Sequence, residues 1–100
     1  MPKQVYKITY PTGKIYIGKD SVGSCRYFGS PDIETVNADF LSLSDGQRKD
    51  YTVRKQILWE SDIASEEELS AMEIMMIREH RSNDPEIGYN RFPPLRVKEQ

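Results

Sequence analysis

The stretch that decides the fold is KQVYKITYPTGKIYIGKD, Lys3 to Asp20, with three tyrosines, four lysines and one tight turn. Val5 to Tyr10 is rich in β-branched and aromatic residues and reads as a strand, and Ile15 to Gly18 reads as its partner. Between them, Pro11 at the second turn position and Gly13 two residues later suit a type I turn closed by a left-handed glycine. That is a three-residue hairpin loop with a bulge. Such a loop sets Tyr10 opposite Lys14, Ile8 opposite Tyr16 and Tyr6 opposite Gly18. Side chains alternate along a strand, so Tyr6, Tyr10 and Tyr16 then share one face while Val5, Ile15 and Ile17 take the other. A two-residue loop would instead set Tyr6 opposite Lys19 and turn Tyr16 away.

Outward from the hairpin, residues 19–33 hold Gly23, Gly29 and Pro31 among serines and read as loop, with a short helical turn around Arg26. Ile33 to Leu43 has helical spacing at Ile33, Val36, Phe40 and Leu43, ending near Asp45-Gly46. Thr52 to Trp59 reads as a third strand with Val53, Ile57 and Trp59 on one face. Lys55 interrupts that face, which suits an edge strand. Ser65 followed by Glu66, Glu67 and Glu68 is a capping box, and its acidic first turn suits the helix dipole. From there Leu69, Met72, Glu73, Met76, Ile77 and His80 follow the spacing of a buried stripe. His80 in the last turn suits a dipole-compensating cap. The helix is expected to stop before Asp84-Pro85, Gly88-Tyr89-Asn90 to turn the chain back, and the charged end after Pro93-Pro94 to fray. The expectation is an α/β (α+β) single domain over residues 1–94, a three-stranded, mainly antiparallel sheet flanked by helices, with a tail over 95–100.

One hundred residues suit one modest core. No apolar run approaches the roughly 20 residues that cross a bilayer, and no secretory signal is evident. The lone Cys25 and single histidine leave no disulfide or structural zinc site, so a reducing, cytoplasmic setting is the default. Charge is lopsided: Lys3, Lys7, Lys14, Lys19 and Arg26 against Asp20 give residues 1–27 a net +4, leaving −6 of the overall −2 to the rest. Uneven scatter in a short segment produces such blocks too.

Glu73 stands out because a carboxylate within an apolar stripe carries a desolvation cost unless a cation, donor or metal compensates it. A place at the stripe's margin, bridged to a lysine of the sheet, would also satisfy it. The tyrosine face alone is equally what a half-buried sheet carries, and Asn90 alone is a turn residue.

Taken in order, Val5-Tyr6, then Tyr16-Ile17-Gly18, Lys19, Arg26, a helix bearing Glu73 and finally Gly88-Tyr89-Asn90 resemble the GIY-YIG nuclease superfamily. The resemblance runs from Val5 to Asn90. Gln4 and Val5 depart from the first triplet, whose tyrosine is kept. The segment around Arg26 is short and glycine-flanked where the family has a basic helix, so Arg48 and Arg54 stay open as alternatives to it.

The resemblance implies hydrolysis of DNA phosphodiesters with one divalent cation, Mg²⁺ or Mn²⁺, held by Glu73 with waters and a phosphate oxygen. It implies that Tyr6 or Tyr16 helps deprotonate the attacking water. A tyrosine is a poor base at neutral pH unless a cation favours its phenolate, and Lys19 is the nearest candidate. Arg26 would bind nonbridging oxygens and Asn90 would fix the site's geometry. Lys3, Lys7, Lys14, Lys19 and Arg26 would hold DNA phosphates while the acidic remainder faces away. Specificity would come from loops, a homodimer or a partner protein. The rival expectations are a nucleic-acid-binding or regulatory protein that has lost turnover, and an interaction module that binds a basic protein.

Overall fold

The computed structural model describes residues 2–22 and 29–95. The chain runs β1 (Lys3–Thr9), β2 (Ile15–Asp20), α1 (Ile33–Leu41), α2 (Asp45–Lys49), β3 (Arg54–Ser61) and α3 (Glu66–His80). The three strands form one antiparallel sheet in the order β2-β1-β3. This is the small α+β domain that the sequence predicts.

The hairpin turn closes with the Tyr10 amide donating to the Lys14 carbonyl at 3.0 Å and the Gly13 amide to the Tyr10 carbonyl at 2.8 Å. Gly13 sits at φ 89°, where an L side chain would be strained. The three-residue loop therefore holds, and with it the expected register: Tyr6 opposes Gly18 and Ile8 opposes Tyr16.

β1 is central, and both of its faces are covered. On one side Tyr6, Ile8 and Tyr16 pack with Val36 of α1 and with Tyr89, flanked by Tyr10 and Val53. On the other, Val5 and Ile17 meet Leu69 and Ile77 of α3, flanked by Leu58, Trp59, Met72 and Met76. The apolar stripe of α3 is thus buried against the sheet as its spacing predicts. The capping box forms, with Glu68 N–H donating to the Ser65 hydroxyl at 3.1 Å and Ser65 N–H to Glu68 Oε1 at 2.8 Å. His80 Nδ1 lies 3.0 Å from the Met76 carbonyl. A carbonyl can only accept, so Nδ1 carries the proton.

Two expectations are corrected. β3 is an edge strand, but Val53, Ile57 and Trp59 do not share a face. The register of β1 against β3 shifts between Val5 and Tyr6, so Ile57 pairs with Tyr6 while Trp59 pairs with Val5. The bulge at Leu58 returns Trp59 to the α3 side. Lys55 interrupts the other face for a visible reason, since its ammonium lies 4.6 Å from the centroid of the Tyr6 ring. The helix from Ile33 ends at Leu41, and a second short helix, α2, follows with Ser44 and Gln47 forming its capping box. Pro93 is buried, and its carbonyl accepts from Asn83 Nδ2 at 2.8 Å.

Candidate functional site

Strand alternation would keep Tyr16 and Lys19 apart, since Tyr16 belongs to the Tyr6 face and Lys19, opposite Val5, to the α3 face. They meet because β2 is the edge strand. Tyr16 comes to that edge from one face, and Lys19 and the α3 residue Glu73 from the other. All three line a cavity of about 540 Å³ with Asp20, Ser21, Val22 and Ser30. A neighbouring hollow of about 260 Å³ shares Tyr16, Ser30 and Glu73 and adds Ile77, Asn90, Arg91 and Phe92. Tyr16, Lys19, Glu73 and Asn90, far apart in sequence, are therefore brought to one edge of the sheet.

Tyr6 lies behind this site and is 0% exposed. Its ring stands 6.4 Å from that of Tyr16, centroid to centroid. The Tyr6 hydroxyl occupies the place that a side chain on residue 18 would need: a β-carbon on Gly18 would fall 2.5 Å from that oxygen. Gly29, at φ 80°, closes over the same hydroxyl and over the Tyr16 ring. The next amide, of Ser30, donates to the Tyr16 hydroxyl at 3.1 Å. The two tyrosines thus share a face but not an environment, since Tyr16 reaches the cavity and Tyr6 is sealed beneath it.

Asn90 reproduces a missing strand. Its Oδ1 accepts from the Ile17 amide at 2.8 Å and its Nδ2 donates to the Ile17 carbonyl at 2.7 Å. Alongside, the Ile15 amide donates to Ile87 and the Tyr89 amide to Ile15. The open edge of β2, otherwise a row of unpaired peptide groups, is capped by residues 87–90. Substituting Asn90→Ala removes both side-chain partners of the Ile17 peptide, which is expected to destabilise the fold by about 2 kcal/mol. A denaturation midpoint equal to wild type would contradict this role.

Tyr89 anchors the same segment. Its hydroxyl donates to Asp39 Oδ2 at 2.7 Å, and Thr12 Oγ1 lies 2.9 Å from it. Lys14 Nζ stands 3.0 Å from the same Asp39 oxygen. The Tyr89 hydroxyl and the Lys14 ammonium hold the Asp39 carboxyl below its usual range, against an opposing effect of burial. Burial, reinforced by Asp39, pushes the Tyr89 phenol well up, so it stays a donor. Sequence reasoning missed Asp39 because nothing local links α1 to the hairpin loop.

Among the described residues Glu73 forms no ion pair, but the charge of Lys19 acts on it. Burial raises its pKa, and Lys19 of the sheet opposes that rise. Lys19 Nζ itself donates to Ser70 Oγ at 2.6 Å. The expectation that the acidic remainder faces away from the hairpin is not met. Asp39 takes Lys14, and Glu66 approaches Lys3 at 3.9 Å. Lys7 lies opposite Ile17, on the α3 face. Arg26 lies outside the described residues. The two alternatives to it are placed elsewhere: Arg48 donates to the Phe40 and Leu41 carbonyls, and Arg54 pairs with Thr9 at the far edge of the sheet.

Among the described residues no three His, Cys, Asp or Glu side chains cluster to hold a metal. A hydrated hard cation needs less. The half-buried Glu73 carboxyl supplies an oxygen donor of the right kind and the cavity leaves room for water, while Asp20 lines the same cavity with its Oδ1 accepting from the Val22 amide at 2.9 Å. The residues present fit such an ion. Asp20 is a lining residue that the sequence reading passed over, and so is Arg91. No helix is long and apolar enough to cross a membrane among the described residues. Comparison of the chain with protein-family models, with curated proteins and with solved structures finds no match.

Proposed function

We propose that the protein is a metal-dependent DNA endonuclease of the GIY-YIG kind. The observation that carries this reading is the meeting of Tyr16, Lys19 and Glu73 in one cavity from opposite faces of the sheet. A packing role for the tyrosines would not require that convergence, and a marginal bridge between Glu73 and Lys19 would not bring Tyr16 into it. Glu73 would hold the cation, in a cavity that Asp20 also lines. When bound, Mg²⁺ or Mn²⁺ supplies charge stabilisation at the phosphate and a more acidic water.

The chain's own groups do the rest. Tyr16 is the tyrosine that reaches the cavity, and its hydroxyl oxygen accepts from the Ser30 amide, a bond that favours the phenolate which would take the attacking water's proton and end as the neutral phenol. Lys19 adds positive charge in the same cavity. Tyr6, sealed against Gly18 and Gly29, sets the position of Tyr16. Asn90 holds the Ile17 peptide, so the strand that carries Tyr16 and Lys19 cannot drift. Specificity is left to loops, a second copy or a partner protein.

Incubating supercoiled plasmid with the protein and Mg²⁺ is expected to yield nicked or linear products, and chelator is expected to prevent them. Tyr16→Phe is expected to slow cleavage about a hundredfold. An intact plasmid with both Mg²⁺ and Mn²⁺ would sink the enzyme reading and leave the binding protein without turnover.

A further inference from the structure

Phe92 is 66% exposed, yet its backbone is held on both sides. Two residues before it, Asn90 is clamped to Ile17, and directly after it the buried Pro93 accepts from Asn83. A large aromatic ring on a fixed backbone, open to solvent beside a cavity, is built to be contacted. Its neighbour Arg91 is exposed and makes no ion pair or side-chain hydrogen bond among the described residues. Both line the hollow that contains Tyr16, Glu73 and Asn90. Arg91 also lines an adjoining hollow with Asn83 and Leu95, and those two border a third with Arg78 and Arg81. The guanidinium groups of Arg91, Arg78 and Arg81 thus border neighbouring hollows, that of Arg81 paired with Asp84 at 3.5 Å.

We propose that Arg91 and Phe92 are the contact for the nucleic-acid strand leaving the cavity: Arg91 takes a phosphate oxygen and Phe92 stacks on an unpaired base. The proposal rests on the nuclease reading and narrows its substrate. An aromatic face can only be met by a base out of its duplex stack, so the preferred DNA is single-stranded, frayed or distorted next to the cut. Guanidinium suits phosphate because its planar fork gives two hydrogen bonds as well as charge. Duplex held by the hairpin lysines would need neither residue.

The test measures binding of a fluorescein-labelled single-stranded oligonucleotide and of the matching blunt duplex to Glu73→Gln protein across a salt series. Tighter binding to the single strand is expected. Adding Phe92→Ala is expected to weaken it roughly tenfold with the salt slope unchanged, and Phe92→Trp to restore it. Adding Arg91→Gln is expected to weaken it and lower the salt slope by about 0.7. Both positions are exposed, so unchanged thermal midpoints are expected throughout. Single-strand affinity and salt slope unchanged in Phe92→Ala and Arg91→Gln would overturn the proposal, as would a preference for duplex. The nuclease reading fails separately: if wild type leaves plasmid intact while these binding losses appear, the strand contact stands and turnover does not.

Discussion

Gly88→Ala is expected to destabilise the protein by about 3 kcal/mol and to release residues 87–90 from the sheet. A β-carbon there would stand 2.6 Å from the Ile15 carbonyl oxygen and from Ser82 Cα, and closer still to the Ser82 carbonyl oxygen. All three are backbone atoms, so no side-chain rotation relieves the overlap. Gly88 forms a parallel bridge with Ile15, and Tyr89 N–H donates to the Ile15 carbonyl at 2.8 Å just beyond it. Pushing residue 88 away therefore also pulls Asn90 from Ile17. Denaturant titration gives the loss, and amide exchange locates it: the Ile15, Ile17 and Tyr89 amides are expected to lose protection first. Gly46→Ala is the control. Nothing lies within 4 Å of its added carbon, and within α2 the change is expected to be neutral or to stabilise by up to about 1 kcal/mol. Equal midpoints for the two variants would show that close packing at Gly88 does not hold this edge.

What the sequence made legible follows the range of the forces involved. The hairpin register depends on one turn, and Pro11 with Gly13 specifies that turn locally, so the placement of Tyr6, Tyr10 and Tyr16 could be read in advance. The α3 stripe was equally readable, because capping and periodicity are properties of one helix. The bulge at Leu58 was not, since it exists only in the pairing of β3 with β1, and alternation along the strand gives the wrong face for Trp59. Asp45-Gly46 reads as a stop, yet the signal for α2 is local too: Ser44 and Gln47 have capping-box spacing. The candidate site was legible as a set of residues but not as a place. That Tyr16 meets Glu73 around an open strand edge depends on β2 being outermost. That Tyr6 is sealed depends on Gly29, which lies in a loop with no pattern of its own. Arg91 and Phe92 carry no signal of their own in the sequence, and the Asn83 to Pro93 bond that fixes them spans ten residues without periodicity.

Glu73→Gln is expected to abolish cleavage, a loss of about a thousandfold or more, while making the protein more stable at neutral pH. The two effects share one cause. Burial raises the folded-state pKa of Glu73 above its ordinary value, and Lys19 offsets the rise only in part. Between the unfolded and folded pKa values the folded chain binds the extra proton, so stability falls as pH rises through that window. Above the window the ionised carboxylate is a standing penalty, which glutamine lacks. The stability advantage of Glu73→Gln is therefore expected to be present at neutral pH and to vanish below the carboxylate range. A cation that binds the ionised form would act in the opposite direction. Mg²⁺ or Mn²⁺ is expected to raise the thermal midpoint of wild type at neutral pH, with the gain growing with the logarithm of metal concentration, and to leave Glu73→Gln unmoved. Midpoints measured over pH, with and without metal, separate the cases. A variant no more stable than wild type at neutral pH would mean that Lys19 already compensates the carboxylate. A metal-induced gain that survives the substitution would put the cation somewhere other than Glu73.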